Sequence, residues 1–271
     1  MQREQFQLHA DIEQRHWWFV GRRRILLRLI ERVLPSEAAP LVIDVGCGTG
    51  GNAAALAERG YRCVGIDTSA EAIELAKRRF SGVQFLSGRA PADLGPWAAE
   101  ARLFLLTDVL EHVADDGAMF SELVASASPG CYFLLTVPAD PSLWSEHDEA
   151  FGHFRRYDRA RFEGVWAGLP VTALLVSYFN ARLLPIVRFQ RAWNRRRGRS
   201  SGHGHTDFWL PIRPVNAMLA HAFAGESSRL VAAMQGCGRG YPAGVSLLAL
   251  LRREPGPWTA RQKPNSSASD R

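Results

Sequence analysis

Cysteine is scarce and unpaired in this sequence: its four copies, Cys47, Cys63, Cys131 and Cys237, lie far apart with no C-x-x-C pair. That excludes a zinc ribbon and a disulfide framework, and it suits a reducing compartment. Long apolar runs are lacking as well. Residues 1–15 are polar where a signal peptide would need an apolar stretch, and no segment offers about 18 uninterrupted apolar residues, the length a spanning helix requires. The sequence has no internal repeat. These absences predict a cytoplasmic protein. Acidic residues are in the minority, 27 against 33 Lys and Arg, and the net charge of +6 suits an anionic partner or an anionic membrane surface. What remains is an ordinary globular balance. With 271 residues, 46% hydrophobic and 22% charged, the chain fits one large domain or one domain with an elaborate insertion.

The first 35 residues are expected to be helical, ending at Pro35-Ser36. From residue 41, short apolar runs alternate with helical segments. "LVIDV" (41–45), "RCVGI" (62–66), "VQFL" (83–86), "LFLLT" (103–107), "CYFLLTV" (131–137), "VTALLVSYF" (171–179) and "VSLLALLRR" (245–253) predict buried strands. Such alternation implies an α/β fold: a parallel sheet covered on both faces, with ligands at the strands' carboxyl ends. The plan is a helical segment over 1–40, a core over 41–179 and 241–253, a helical basic insertion over 180–240, and a disordered tail over 254–271.

"VIDVGCGTGG" (42–51) is the most informative stretch. Its glycines, Gly46, Gly48 and Gly50 among them, allow a tight turn and close approach of the backbone to a ligand, and the following helix points free N–H groups at it. Cys47 sits inside that turn, where only a small side chain fits. The spacing G-x-G-x-x-G alone suggests a dinucleotide, but Asp44 stands at the root of the turn. Two like charges at about 5 Å and an effective dielectric of about 20 repel by roughly 3 kcal/mol, a heavy penalty against a pyrophosphate. S-adenosylmethionine instead brings an ammonium and a sulfonium, which Asp44 attracts. Asp67, followed by Thr68, ends the second predicted strand, where a carboxylate can bind both ribose hydroxyls.

Strand, D-x-G-x-G-x-G, helix, strand and Asp67 together resemble the class I S-adenosylmethionine-dependent methyltransferase family. "TDVLEHVADD" (107–116) is similar to the segment after the fourth strand in small-molecule methyltransferases related to the ubiquinone and menaquinone methylating enzymes. The resemblance implies that Asp108 and Val109 border the cofactor and that Glu111 and His112 border the acceptor. It also implies a Rossmann-like doubly wound sheet of seven strands, the last antiparallel, with an N-terminal helical lid and an insertion before that strand. S-adenosylmethionine is the implied cofactor and S-adenosylhomocysteine the product. One departure stands out. After the third strand the family often places an acidic residue beside the adenine, whereas here "LSGRAPADL" leaves Gly88, Arg89 and Ala90 to offer backbone groups. "HWWFVGRRR", "PADPSLWSEHDEAFGHFRRY" and "YPAGVSLLAL" further resemble a bacterial type 11/12-like subgroup. The resemblance extends to about residue 253.

Methyl transfer is an in-line displacement at a sulfonium carbon, so the protein supplies orientation, desolvation and, for a hydroxyl acceptor, a base. Trp144 to Tyr157 is the richest acceptor-side segment. His147 beside Asp148 is a candidate general base, with His153 and His112 as further catalytic candidates. Trp144, Arg155, Arg156 and Tyr157 are candidates to hold an anionic acceptor; solvated pairing of the same charges is the plain alternative. Trp17 and Trp18, with Arg22 or Arg23 nearby, suggest a lid over the ligand, or simple packing on the sheet. His147 and His153 do not share a helix face and lack an evident third ligand, so no metal is expected.

The acceptor is expected to be a small molecule or lipid-linked, and anionic. From Gly164 to Thr206 the sequence has no acidic residue yet seven arginines, interleaved with Leu183, Leu184, Ile186, Val187, Phe189 and Trp193. A basic amphipathic helix over 180–199, kinked at Pro185, could meet an anionic membrane peripherally, pack on the domain, or face a soluble anion. Nucleic-acid methylation is the alternative raised by the basic balance. Its amine-directed enzymes carry Asn/Asp-Pro-Pro-aromatic where this chain has Thr107-Asp108-Val109-Leu110, and no Pro-Cys dipeptide is present for cytosine chemistry. An NAD-binding oxidoreductase and a non-catalytic module of the same fold are further alternatives, separable by cofactor binding. Nothing in the sequence sets the oligomeric state.

Overall fold

The computed structural model describes residues 3–197 and 210–256. Two helices, α1 (Arg3–Ile12) and α2 (Trp17–Val33), precede the core. They replace the single helical stretch expected over the first 35 residues. The break comes where His16 takes extended backbone angles and its ring accepts from the Trp18 N–H, capping α2.

The core alternates as the apolar runs predict: β1 (Leu41–Val45), α3 (Gly51–Ala57), β2 (Arg62–Asp67), α4 (Ala70–Arg79), β3 (Gln84–Ser87), α5 (Trp97–Glu100), β4 (Leu103–Thr107), α6 (Asp116–Ser126), β5 (Tyr132–Pro138). Two short helices, α7 (Glu146–Ala150) and α8 (Arg159–Gly164), lead to β6 (Val171–Phe179). Then α9 (Leu184–Arg197), α10 (Arg213–Ala224) and α11 (Ser227–Met234) precede β7 (Ser246–Arg253). The seven strands form one sheet in the order β3-β2-β1-β4-β5-β7-β6. β7 runs antiparallel to both of its neighbours.

Strand alternation divides the core between the two faces. In β4, Phe104 and Leu106 pack with Phe120 and Phe133 on one face, while Leu103 and Leu105 pack with Ile25, Leu29 and Leu56 on the other. The second face is closed by α2, whose buried Ile25, Leu26, Leu29 and Ile30 recur at helical spacing. α10 and α11 cover α2 in turn: Gly21 lies so close to Phe223 that a Cβ there would meet its ring at 2.6 Å.

Among the described residues, the segment before β7 is helical. Pro185 sits in the first turn of α9, where its missing N–H has no intrahelical partner to lose, so it starts the helix and does not kink it. The glycine- and histidine-rich run at 201–205, Arg199 and the expected tail from 257 onward lie outside the described residues.

Candidate active site

The order of the sheet reverses between β1 and β4, and a cavity of about 640 Å³ opens at their carboxyl ends, where doubly wound sheets bind ligands. The glycine turn forms its floor. Gly46 has a φ of +65°, and a Cβ there would meet Val109 at 2.6 Å; Gly50 has a φ of +88° and caps α3. Both positions therefore require glycine. The Asp67 carboxylate organises the turn from β2, accepting from the Gly48 N–H at 2.9 Å and the Ser69 N–H at 2.8 Å. Each oxygen retains a further lone pair for a ligand hydroxyl.

Gly46, Cys47, Gly48, Asp67, Thr68, Arg89, Ala90, Asp108 and Val109 line the cavity, and Gly50 lies just outside it. Asp44 is 1% exposed and stands behind Val45, which lines the wall. Neither of its oxygens has a well-formed hydrogen bond among the described residues. Burial pushes its carboxyl up to about 7, against the downward pull of Arg22 and the Ala53 N–H. The turn after β3 has a carboxylate after all. Asp93 accepts from the Arg89 N–H at 2.7 Å, fixing the backbone of Gly88 and Arg89 from behind. Sequence order hid it because it sits four residues past the position it caps.

The N-terminal helices form the roof. His9, Glu13, Trp18, Phe19 and Arg22 line the cavity. Arg22 pairs with Asp108 and lies 4.2 Å over the Trp18 ring. Glu13 pairs with Arg79 and accepts from the Thr49 hydroxyl at 2.9 Å, fastening α1 to the glycine turn. His9 lies in the last turn of α1 and Glu13 just past its end, four residues on, a spacing that could have marked them. Trp17 turns away, its backbone N–H donating to the Asn216 side-chain oxygen and its ring edge-on to Phe223.

At the other end Glu111, His112, His147, His153 and Arg156 line the cavity. Asp148 does not serve His147. Fully buried, it receives His153 Nδ1 at 2.9 Å and Arg156 Nε at 2.8 Å, and it caps α7 through the Ser145 N–H. Those partners hold its carboxyl well below the usual range, overriding desolvation. The expected His147–Asp148 dyad is therefore a His153–Asp148–Arg156 cluster, because α7 points adjacent side chains in different directions. Burial lowers His147 to about 3 and His112 to about 4, so both rings are neutral near pH 7. Glu111 is wholly buried, and neither of its oxygens has a well-formed hydrogen bond among the described residues. Glu111, His112 and His153 each bring a ligand atom within 4.8 Å of the others, a trio that sequence spacing does not reveal.

Three expected acceptor contacts lie elsewhere. Arg155 donates to the Ala114 carbonyl and pairs with Asp116 at 3.0 Å. Tyr157 is fully buried and donates to Asp116 at 2.7 Å, because it belongs to the core between β5 and α8. Trp144 donates to Glu149 at 3.3 Å.

The methyltransferase-domain family profile matches residues 18–185. The chain belongs to that family, within the class I S-adenosylmethionine-dependent methyltransferase group. It is 29% identical over 180 residues to trans-aconitate 2-methyltransferase of Azoarcus sp. (strain BH72), covering 64% of this chain and 66% of that protein. It is 29% identical over 138 residues to ubiquinone biosynthesis O-methyltransferase of Coxiella burnetii (strain Dugway 5J108-111), covering 47% and 58%. The chain thus spans between about half and two thirds of the length of the curated relatives it matches. A chain of the Haloferax volcanii complex between a methyltransferase activator and a methyltransferase shares the fold, with a TM-score of 0.57 at 17% identity, over 95% of this chain and 99% of that one. So does a methyltransferase from Corynebacterium glutamicum, with a TM-score of 0.52 at 13% identity over 86% and 88%.

Proposed function

We propose that the chain transfers the methyl group of S-adenosylmethionine to an oxygen of a small anionic acceptor. The observation that carries this is one cavity with two unlike ends. The glycine turn and Asp67 suit an adenosine cofactor, and neutral imidazoles beside the Arg156 cation suit an acidic oxygen. Asp67 would hold the cofactor's ribose hydroxyls, the backbone at Gly88 to Ala90 would meet its adenine edge, and Asp44 would attract its ammonium. His112, His147 and His153 are the groups able to take a proton from an acceptor hydroxyl. The acceptor oxygen then forms a bond to the methyl carbon as the carbon–sulfur bond breaks. That electron pair stays on sulfur, leaving S-adenosylhomocysteine. Trp18, Phe19 and Arg22 close the cavity against water. The two curated relatives point to the acceptors to try first, trans-aconitate and ubiquinone precursors. A coupled assay for S-adenosylhomocysteine with each compound, followed by cell-extract fractions, should give acceptor-dependent release and one product heavier by a methyl mass. No turnover with any fraction, despite cofactor binding, would remove the reading.

A peripheral membrane contact through α9, delivering a lipid-linked acceptor, is favoured by one observation. Ile186, Phe189 and Trp193 are exposed at helical spacing, with the Phe189 and Trp193 rings 6.0 Å apart. Exposed apolar groups on a helix rich in arginine suit an anionic lipid surface.

A further inference from the structure

We propose that Glu111, His112 and His153 form a binding site for one divalent transition-metal ion at the acceptor end of the cavity. The site extends the methyltransferase reading to the acceptor half, but its ligands stand on their own geometry.

Three features argue for it. The donor set, one carboxylate and two imidazoles with ligand atoms within 4.8 Å of one another, suits Zn2+, Co2+ or Mn2+ with positions left open. Glu111 is fully buried with no well-formed hydrogen bond on either oxygen among the described residues, and it lines the cavity. Leaving such a carboxylate uncompensated is costly, and its own backbone N–H with the more distant Arg22 and Arg156 gives only partial relief. A cation bound on the cavity side supplies the missing partner.

The third feature is the support behind one of the rings. A metal-binding histidine typically gives its other nitrogen to a carboxylate or a backbone carbonyl, which fixes tautomer and orientation. His153 turns Nδ1 to Asp148 at 2.9 Å, leaving Nε2 for a ligand. The His112 ring lies edge-on to His153, with centroids 4.7 Å apart. His153 thus has one nitrogen held from behind. Arg156 completes the outer layer by holding Asp148 at 2.8 Å.

The charge follows. One carboxylate and two neutral imidazoles leave a divalent ion with net positive charge, which attracts an anionic oxygen into its open positions; with His112 and His153 committed to the ion, His147 remains the imidazole able to take a proton. The acceptor class implied is therefore an oxygen acid, a carboxylate or an acidic hydroxyl, bound through the oxygen.

The test uses tag-free protein treated with chelator and carrying His203→Gln and His205→Gln, which removes the two imidazoles of the glycine-rich run at 201–205. Zn2+ alone is titrated by calorimetry, and Co2+ alone is followed by visible absorption. Expected are one saturable equivalent and a ligand-field band. Glu111→Gln and His153→Gln should each abolish the band, and Asp148→Asn should weaken binding by about 10–100-fold. S-adenosylmethionine binding measured on the same variants reports whether each is folded. No saturable metal binding by the parent protein overturns the site, as does undiminished binding in variants that still bind the cofactor. Cofactor binding without metal binding leaves the methyltransferase reading intact. Metal binding without cofactor binding does the reverse.

Discussion

Arg22 and Asp108, 86 residues apart, form an ion pair that joins α2 to the turn after β4 across the mouth of the cavity. Asp108 is held for it. Its φ of +57° is unusual for a residue other than glycine, and its second oxygen accepts from the Thr136 hydroxyl at 3.1 Å. Arg22 is nearly buried and stacked on Trp18, so the pair is shielded from salt. Removing one partner strands the other, at a cost of about 3–5 kcal/mol for a well-buried pair. Arg22→Gln should loosen α1 and α2 before the sheet unfolds. Hydrogen exchange should rise across residues 3–33 with β4 and β5 still protected, and cofactor affinity should fall at least tenfold. Unchanged exchange in α1 would mean that the pair does not fasten the roof.

Asp44 makes a prediction with a definite sign. Burial raises its carboxyl from 3.8 to about 7, so the folded chain keeps a proton that the unfolded chain loses. The resulting stability is full below about pH 4 and is lost as pH rises towards 7. Asp44→Asn removes this loss. In the ligand-free protein, thermal unfolding should show the variant gaining on the parent between pH 5 and pH 8, by up to about 4 kcal/mol on a three-unit shift. The same variant should bind S-adenosylmethionine more weakly, since it lacks the charge that draws the ammonium from behind the wall formed by Val45. Equal pH dependence in the two proteins would show that Asp44 is ionised throughout.

The sheet and the glycine turn were legible because their signals are local. Apolar runs at strand spacing, turn glycines and Asp67 at a strand end need no tertiary information. The acceptor end was legible only as a list. His147 and Asp148 are adjacent in sequence but diverge on α7, whereas His153 and Arg156 reach Asp148 because the turn at Gly152 folds back. Glu111 and His112 meet His153 across a separation that no spacing rule encodes. Tyr157 looked like a pocket residue and is core, since a phenol can hide its ring and still satisfy its hydroxyl on Asp116.

The buried imidazoles work opposite to Asp44. Desolvation first lowers His9 and His147 to about 3 and His112 to about 4, so the unfolded chain takes up protons that the folded one refuses. Stability should therefore fall as pH drops below about 6.5. His147→Gln should make the decline between pH 6.5 and pH 4.5 shallower than in the parent in chemical denaturation. In turnover, neutral rings are already bases at pH 7, so the rate should show no acid limb from His112 or His147 above about pH 5. If one of them takes the acceptor's proton, replacing it with Gln should cost about a hundredfold in kcat. A steeper acid decline in His147→Gln would contradict its burial as a neutral ring.

The outer face of α9 distinguishes a membrane contact from simple packing. Ile186 is 57% exposed, Phe189 69% and Trp193 45%, with Ile212 and Met218 of the neighbouring segment at 70% and 62%. A helix that only packed on the domain would turn these inward. Arg191 is the buried residue instead, close enough to His147 to lower its proton affinity. Arg188 is engaged with Asp140 at 3.0 Å, and Arg196 nearer the carboxyl end is exposed, placed to meet lipid. Each cation near an anionic surface contributes about 1 kcal/mol and is screened by salt. Vesicles containing phosphatidylserine should therefore sediment the protein at low salt and release it at 0.5 M salt. Phe189→Ser with Trp193→Ser should abolish binding at any charge density. Changing Arg195, Arg196 and Arg197 to Gln should weaken it in proportion to the anionic lipid content. Phe189→Ser with Trp193→Ser should not alter turnover of a soluble acceptor, because neither described side chain lines the cavity. Protein left in the supernatant with anionic vesicles at low salt would end the membrane reading and return the apolar face to contact with another protein surface.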